Sequence, residues 1–127
     1  MKRDMDIVRE VLCKISDAGG KPSWKALVEG KSEEDAKTIL YHVDLLSRAG
    51  LLTGVSLGLH GYKIWENLDL TWDGHEFVDA VRDSEVWKET RKGIEGVGSF
   101  TFDLVKDLAK GLIKKKIEQH TGVTLDL

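Results

Sequence analysis

The segment that most constrains the fold is DAKTILYHVDLLSRAGLL, residues 35–52. Its apolar residues recur at steps of three and four, as expected for one buried stripe of a helix. The stripe consists of Ala36, Ile39, Val43 and Leu46. Gly50 follows the last of these positions and suits a left-handed cap at the end of a helix. The residues therefore predict a helix that ends at a glycine and continues directly into a strand from Leu51.

Two shorter helices are predicted before this segment. Residues 4–18 have an apolar stripe of their own and are followed by a pair of glycines. Ser23 can cap a short helix over residues 24–29, and Ser32 can cap the central helix, because a serine hydroxyl accepts hydrogen bonds from the free N–H groups of a first turn. Three helices are thus expected in the first half of the chain.

A β-hairpin is predicted after the central helix. Residues 51–59 are rich in Leu, Val, Thr and Ser, and residues 62–70 alternate apolar and polar side chains in part. His60 and Gly61 between them favour a turn, since glycine adopts positive φ at no steric cost. The pattern is typical of the wing of a winged helix.

Two more helices are expected after the hairpin. The first extends from Thr71 to about residue 91, with Trp72 on its buried face. Glycines within residues 93–98 indicate a hinge. Ser99 can cap the last helix, which extends to about residue 120 before a glycine.

Together these elements predict an α+β fold with mainly α content: a winged helix-turn-helix with a two-stranded wing and additional C-terminal helices. The expected organisation is a winged-helix domain over residues 1–92, a glycine-rich hinge over 93–98, and an amphipathic helix with a tail over 99–127.

Several motifs resemble known families. HVDLLSRAGLL looks like the end of the recognition helix in winged-helix regulators, and LTWDGHEFVDAV resembles the Leu-Thr-x-x-Gly start of the helix after their wing. With MKRDMDIVREVL at the start and VRDSEVWKET later, the chain resembles the short bacterial and prophage proteins grouped as domain of unknown function 2513. That resemblance covers residues 1 to about 120 and implies a fold and a genomic setting, without an established activity.

Composition excludes some functions. At 127 residues the chain forms a core without disulfides, and its net charge of −3 excludes a strongly basic nucleic-acid binder while allowing a local basic patch. No apolar run is long enough to span a membrane, and the charged N-terminus lacks a signal core, so a cytoplasmic protein is expected. The single cysteine, Cys13, excludes an internal disulfide.

Double-stranded DNA is the first partner that the fold suggests. In a winged helix, side chains near the start of the third helix reach base edges, while lysines elsewhere bind phosphates. The predicted nucleic-acid contacts are Lys37, Thr38, Tyr41, His42, Lys63, Lys114, Lys115 and Lys116. Acidic residues 33–35 at the start of that helix oppose phosphate binding. The alternative is a protein-interaction module acting on a host or phage protein, with the lysines only solvating the surface.

The last helix has an apolar stripe that needs a partner. Its residues are Val105, Leu108, Leu112 and Ile113. We expect this stripe to hold a homodimer, with packing inside the same chain as the alternative.

Signals for catalysis are weak. His75 and Asp79 lie one helical turn apart, but two ligands are too few for a metal site. There is no phosphate-binding glycine loop after a strand and no nucleophile beside a base. We expect no enzyme activity, no metal and no cofactor.

Overall fold

The computed structural model describes residues 1–59, 61–97 and 101–125. Its elements in chain order are α1 (Met5–Asp17), α2 (Trp24–Val28), α3 (Glu33–Arg48), β1 (Leu52–Leu59), β2 (Tyr62–Leu70), α4 (Trp72–Val81), α5 (Ser84–Glu95) and α6 (Phe102–Thr121). The α+β fold is confirmed: the described chain is mainly helical, with a two-stranded antiparallel sheet and additional C-terminal helices. No helix in these ranges is long and apolar enough to cross a membrane.

Short polar side chains begin the first three helices. Asp4 accepts a hydrogen bond from the backbone N–H of Asp6 at 2.8 Å. The Ser23 hydroxyl accepts from the backbone N–H of Lys25, and the Ser32 hydroxyl accepts from that of Asp35, each at 3.1 Å. Both predicted serine caps are confirmed. Each cap satisfies an N–H group that the helix leaves without an internal partner.

Helix α3 ends as its sequence predicts. Gly50 has φ +80, a conformation in which a side chain would be strained. The backbone N–H of Leu51 donates to the carbonyl of Leu46 at 2.9 Å, and that of Gly50 donates to Ser47 at 3.1 Å. These two bonds form a Schellman motif, which reverses the chain into β1.

The two strands form a hairpin whose faces differ. Ser56 pairs with Trp65, and Leu57 pairs with Ile64 on the opposite face, since side chains alternate along a strand. Trp65 is buried, whereas Val55 and Leu57 are 63% and 65% exposed. Gly61 has φ +86, as predicted for the turn, while His60 lies outside the described residues.

The chain forms two compact units, of which the first is Met1–Val78. In this unit α1, α3 and the hairpin surround a core that includes Leu12, Val43 and Leu68. At its end the Thr71 hydroxyl donates to the carbonyl of Gly50 at 2.6 Å and accepts from the N–H of Gly74 at 3.1 Å.

Position 74 requires a glycine, because the backbone of α4 passes close to that of Leu51. A Cβ at Gly74 would collide with the carbonyl oxygen of Leu51. The same oxygen accepts a hydrogen bond from the N–H of Thr71 at 3.2 Å. The Leu-Thr-x-x-Gly pattern therefore joins the start of α4 to the end of α3.

The second unit is Asp79–Leu127, in which α5 packs against α6. The boundary falls within α4, whereas the sequence places it at the glycine-rich segment. Residues 93–95 of the predicted hinge form the last turn of α5. Thr101 caps α6 through the N–H of Leu104 at 3.3 Å; the predicted cap, Ser99, lies outside the described residues.

Two predictions for the helix after the hairpin are wrong. The expected single helix over residues 71–91 is two helices, because Asp83 leaves the helical conformation and accepts bonds from the N–H groups of Glu85 and Val86. Trp72, expected on the buried face, is 79% exposed. It is the first residue of α4, and its side chain lies in solvent.

Candidate nucleic-acid interface

A groove lies between α3 and the hairpin in the first unit. It encloses about 400 Å³ and is lined by Lys37, Tyr41 and Asp44 of α3 and by Tyr62 and Lys63 of β2. The structure therefore brings Lys63 of β2 to Lys37 and Tyr41, which lie one turn apart on α3. Antiparallel pairing of β1 with β2 places Lys63 beside the turn, where it reaches α3.

Each lysine of the groove has an acidic partner. The ammonium nitrogen of Lys37 lies 3.6 Å from a carboxylate oxygen of Glu33. That of Lys63 lies 3.0 Å from Asp44, whose other oxygen is 3.1 Å from the Arg48 guanidinium. The lysines and Arg48 are largely exposed. The Lys37–Glu33 pair is exposed on both sides, and such pairs contribute at most about 1 kcal/mol, so a phosphate can replace Glu33 at low cost.

Thr38 and Tyr41 differ in how readily they can contact a nucleic acid. The Thr38 hydroxyl donates to the carbonyl of Glu34 at 3.2 Å, within its own helix. Tyr41 is half-buried, and its ring meets the ring of His42 edge-on with centroids 5.6 Å apart. Tyr41 lines the groove directly, whereas Thr38 would have to break its helical bond to donate to a base.

His42 does not belong to the predicted interface. It is buried, with Nε2 accepting from the backbone N–H of Asp4 at 2.8 Å. Nδ1 lies 2.7 Å from the carbonyl of Thr38 and therefore donates to it. Position 42 falls three residues after Ile39, on the apolar stripe itself, and this spacing was the available signal. The imidazole joins the start of α1 to α3 and offers nothing to a nucleic acid.

The basic run of α6 lies in the second unit and is partly neutralised. The Lys116 ammonium lies 2.8 Å from Asp83 and 3.4 Å from Glu85. The hydrogen bond from Lys116, followed by that from the N–H of Val86, lowers the pKa of Asp83. The bond to Asp83 likewise raises the pKa of Lys116. Lys114 is half-buried and Lys115 exposed, so the three lysines differ in their availability to a phosphate.

The residues predicted to form the dimer interface differ in their exposure to solvent. Val105 is fully buried within the single chain, so it is not available to a second one. Leu108 is exposed, and Leu112 and Ile113 are half-buried. Sequence reasoning missed Leu104, which is 60% exposed one turn before Leu108.

The outer face of the hairpin was also missed. Val55 and Leu57 are two large apolar side chains on one face of a strand, both mostly in solvent. Strand alternation was visible in the sequence, but the side that the core would cover was not.

The sequence is similar to a protein family and to a bacterial protein. The family model described as Hypothetical protein (DUF2513) matches residues 2–100. An uncharacterized protein of Haemophilus influenzae is 29% identical over 119 residues, which cover 92% of this chain and 99% of the relative. No solved structure matches the chain.

Proposed function

The chain belongs to the family Hypothetical protein (DUF2513), and from this premise we propose that it is a small non-enzymatic regulator that binds double-stranded DNA as a homodimer. The family name specifies no activity, so the proposal depends on the geometry of the first unit. A cytoplasmic location and a prophage origin are part of the same proposal.

The observation that supports DNA binding most directly is the groove between α3 and the hairpin. It joins two lysines and a tyrosine from the helix and strand that a winged helix uses to contact a duplex. Lys37 is placed to bind a phosphate or a guanine, and Lys63 to bind the backbone beside the groove. The lysines of α6 are further candidate phosphate contacts, with Lys116 the least available because of its two carboxylate partners.

The acidic groups near the groove set the expected strength of binding. Glu33, Glu34 and Asp35 form the first turn of α3, and Asp44 neutralises Lys63. Because phosphate contacts provide most of the non-specific affinity, binding to random duplex DNA should be weak at physiological salt and strong only at low salt.

The test is a fluorescence-anisotropy titration of a random duplex at about 50 mM and about 200 mM salt. Lys37→Glu should weaken binding about tenfold or more at low salt and flatten the salt dependence. Asp44→Asn should strengthen binding, since it releases Lys63 and Arg48 for phosphate. Lys25→Glu, an exposed lysine of α2 with the same change of charge, is the matched control. No binding at low salt, or equal effects of the two lysine substitutions, would contradict the proposal.

A second candidate function is a protein-interaction module. The exposed Val55 and Leu57 favour it, because apolar side chains grouped on one strand face are typical of protein contacts. If this function applies, a stoichiometric partner should survive nuclease treatment and be lost with Val55→Ser and Leu57→Ser combined. Lys37→Glu should leave that partner bound.

A further inference from the structure

One face of α6 has the pattern of a helix-pairing seam. Leu104, Leu108, Gly111 and Lys115 follow one another at steps of four, three and four residues, which places them in one row along the helix. All four are exposed, and Leu104 is the most exposed leucine of the row. This row is distinct from Val105 and Ala109, which are fully buried within the chain.

Gly111 leaves room for a close neighbour at the middle of the row. A Cβ built at this position meets nothing within 4 Å. Glycine costs about 1 kcal/mol of helix propensity relative to alanine, and it allows another helix backbone to approach closely. Leu108 lies beside it, with one methyl against Gly93 of α5, so its outer side remains available.

Two opposite charges flank Gly111 on α6. Asp107 lies one turn before this glycine, and Lys115 lies one turn after it. Within the described part of the chain, neither Asp107 nor Lys115 forms an ion pair. These two residues lie four positions before and four positions after Gly111.

We propose that two copies of this chain pair through α6 in antiparallel orientation, crossing at Gly111. A two-fold axis through the crossing repeats every contact, so Asp107 of each copy faces Lys115 of the other. In this dimer Lys115 is paired and leaves Lys114 and Lys116 as the candidate phosphate contacts of α6. Leu104 and Leu108 of both copies are covered on either side of the axis. A parallel pair would instead set acid against acid and lysine against lysine, which is unfavourable. The inference depends on the homodimer of the proposed function and adds its orientation and crossing point.

The first experiment is cross-linking at the crossing point, in full-length protein with Cys13→Ser as background. Gly111→Cys places two thiols beside the axis, within the Cα separation that a disulfide requires. Oxidised glutathione takes up the two electrons that the thiols lose. We expect most of the protein to become a covalent dimer. The control, Lys110→Cys, is also exposed but is rotated by about 100° around the helix and should cross-link poorly.

The second experiment is charge reversal, with the dissociation constant of the dimer measured by analytical ultracentrifugation. Asp107→Lys should weaken the dimer about tenfold, because the axis repeats the repulsion with Lys115. Adding Lys115→Asp to the same chain should restore it. Recovery in the double variant shows that the single variant is folded and that the two positions meet.

The possible failures are distinguishable. Light scattering that shows a monomer at about 100 μM overturns the dimer and with it this inference. A dimer in which Lys110→Cys cross-links as well as Gly111→Cys, or in which the double reversal gives no recovery, overturns the antiparallel crossing alone. A failure to bind DNA in a dimer that cross-links at residue 111 overturns only the DNA-binding function.

Discussion

At the scale of single residues, the direction of one side chain changes its role completely. His42 is a polar residue that the sequence places among surface contacts, yet both of its ring nitrogens are engaged inside the first unit. One nitrogen accepts from the backbone N–H of Asp4, and the other donates to the carbonyl of Thr38. The residue stabilises the contact between α1 and α3.

We expect His42→Leu to lower the free energy of unfolding by about 1–3 kcal/mol. The substitution keeps an apolar body but removes the acceptor of the Asp4 N–H and the donor to Thr38, and a buried polar group left unpaired costs about this much. Urea unfolding followed by circular dichroism measures the change. His75→Gln, at an exposed position of α4, should have almost no effect. Equal effects of the two substitutions would refute the structural role.

At the scale of elements, Asp83 joins α5 to α6. Its carboxylate caps α5 through the N–H groups of Glu85 and Val86, and it also binds the ammonium of Lys116 in α6. The same residue ends the run that looked like one long helix in the sequence. A single carboxylate thus sets both the start of α5 and part of its contact with α6.

This arrangement predicts how stability depends on pH. The pKa of Asp83 is lowered in the folded chain, first by the hydrogen bond from Lys116. The contribution of Asp83 to the free energy of unfolding is therefore complete above the ordinary aspartate pKa of about 3.9. It is lost as the pH falls through the lower pKa that Asp83 has in the folded chain. Asp83→Asn retains the cap but removes the charge. The native protein should melt above this variant at pH 6, and the difference should shrink towards zero near pH 2. A difference that stays constant with pH would exclude the ion pair as its cause.

At the scale of the whole molecule, the main question is which apolar surface belongs to one chain and which to an assembly. Val105 and Ala109 are fully buried in the second unit. Leu104, next to Val105 in sequence, is mostly in solvent. Adjacent positions on a helix are rotated by about 100°, so neighbours can belong to different interfaces.

Two single substitutions separate these surfaces. Val105→Asp should unfold α5 and α6, because an unpaired charge would be buried. Leu104→Asp should leave the helical content unchanged and yield a monomer, since it places a charge in the proposed seam. Circular dichroism and light scattering on both variants provide the measurement. A dimeric Leu104→Asp variant would show that the seam is not the interface.

The sequence by itself determined most of the local structure of this protein, although the helix break at Asp83 was not predicted. The caps at Ser23 and Ser32, the glycine end of α3 and the turn at Gly61 were predictable, because each depends on backbone groups within a few residues. The mainly helical α+β fold was predictable for the same reason, since hydrophobic periodicity distinguishes helices from strands.

Only the tertiary structure decided which side of each element is covered. It turned Trp72 outward, exposed one face of the hairpin, and brought Lys63 to Asp44 across the groove. Periodicity shows that a stripe exists, but its width and the fate of the residues at its edge depend on distant segments that pack there. Those contacts form between parts of the chain far apart in sequence, so no short run of residues contains them.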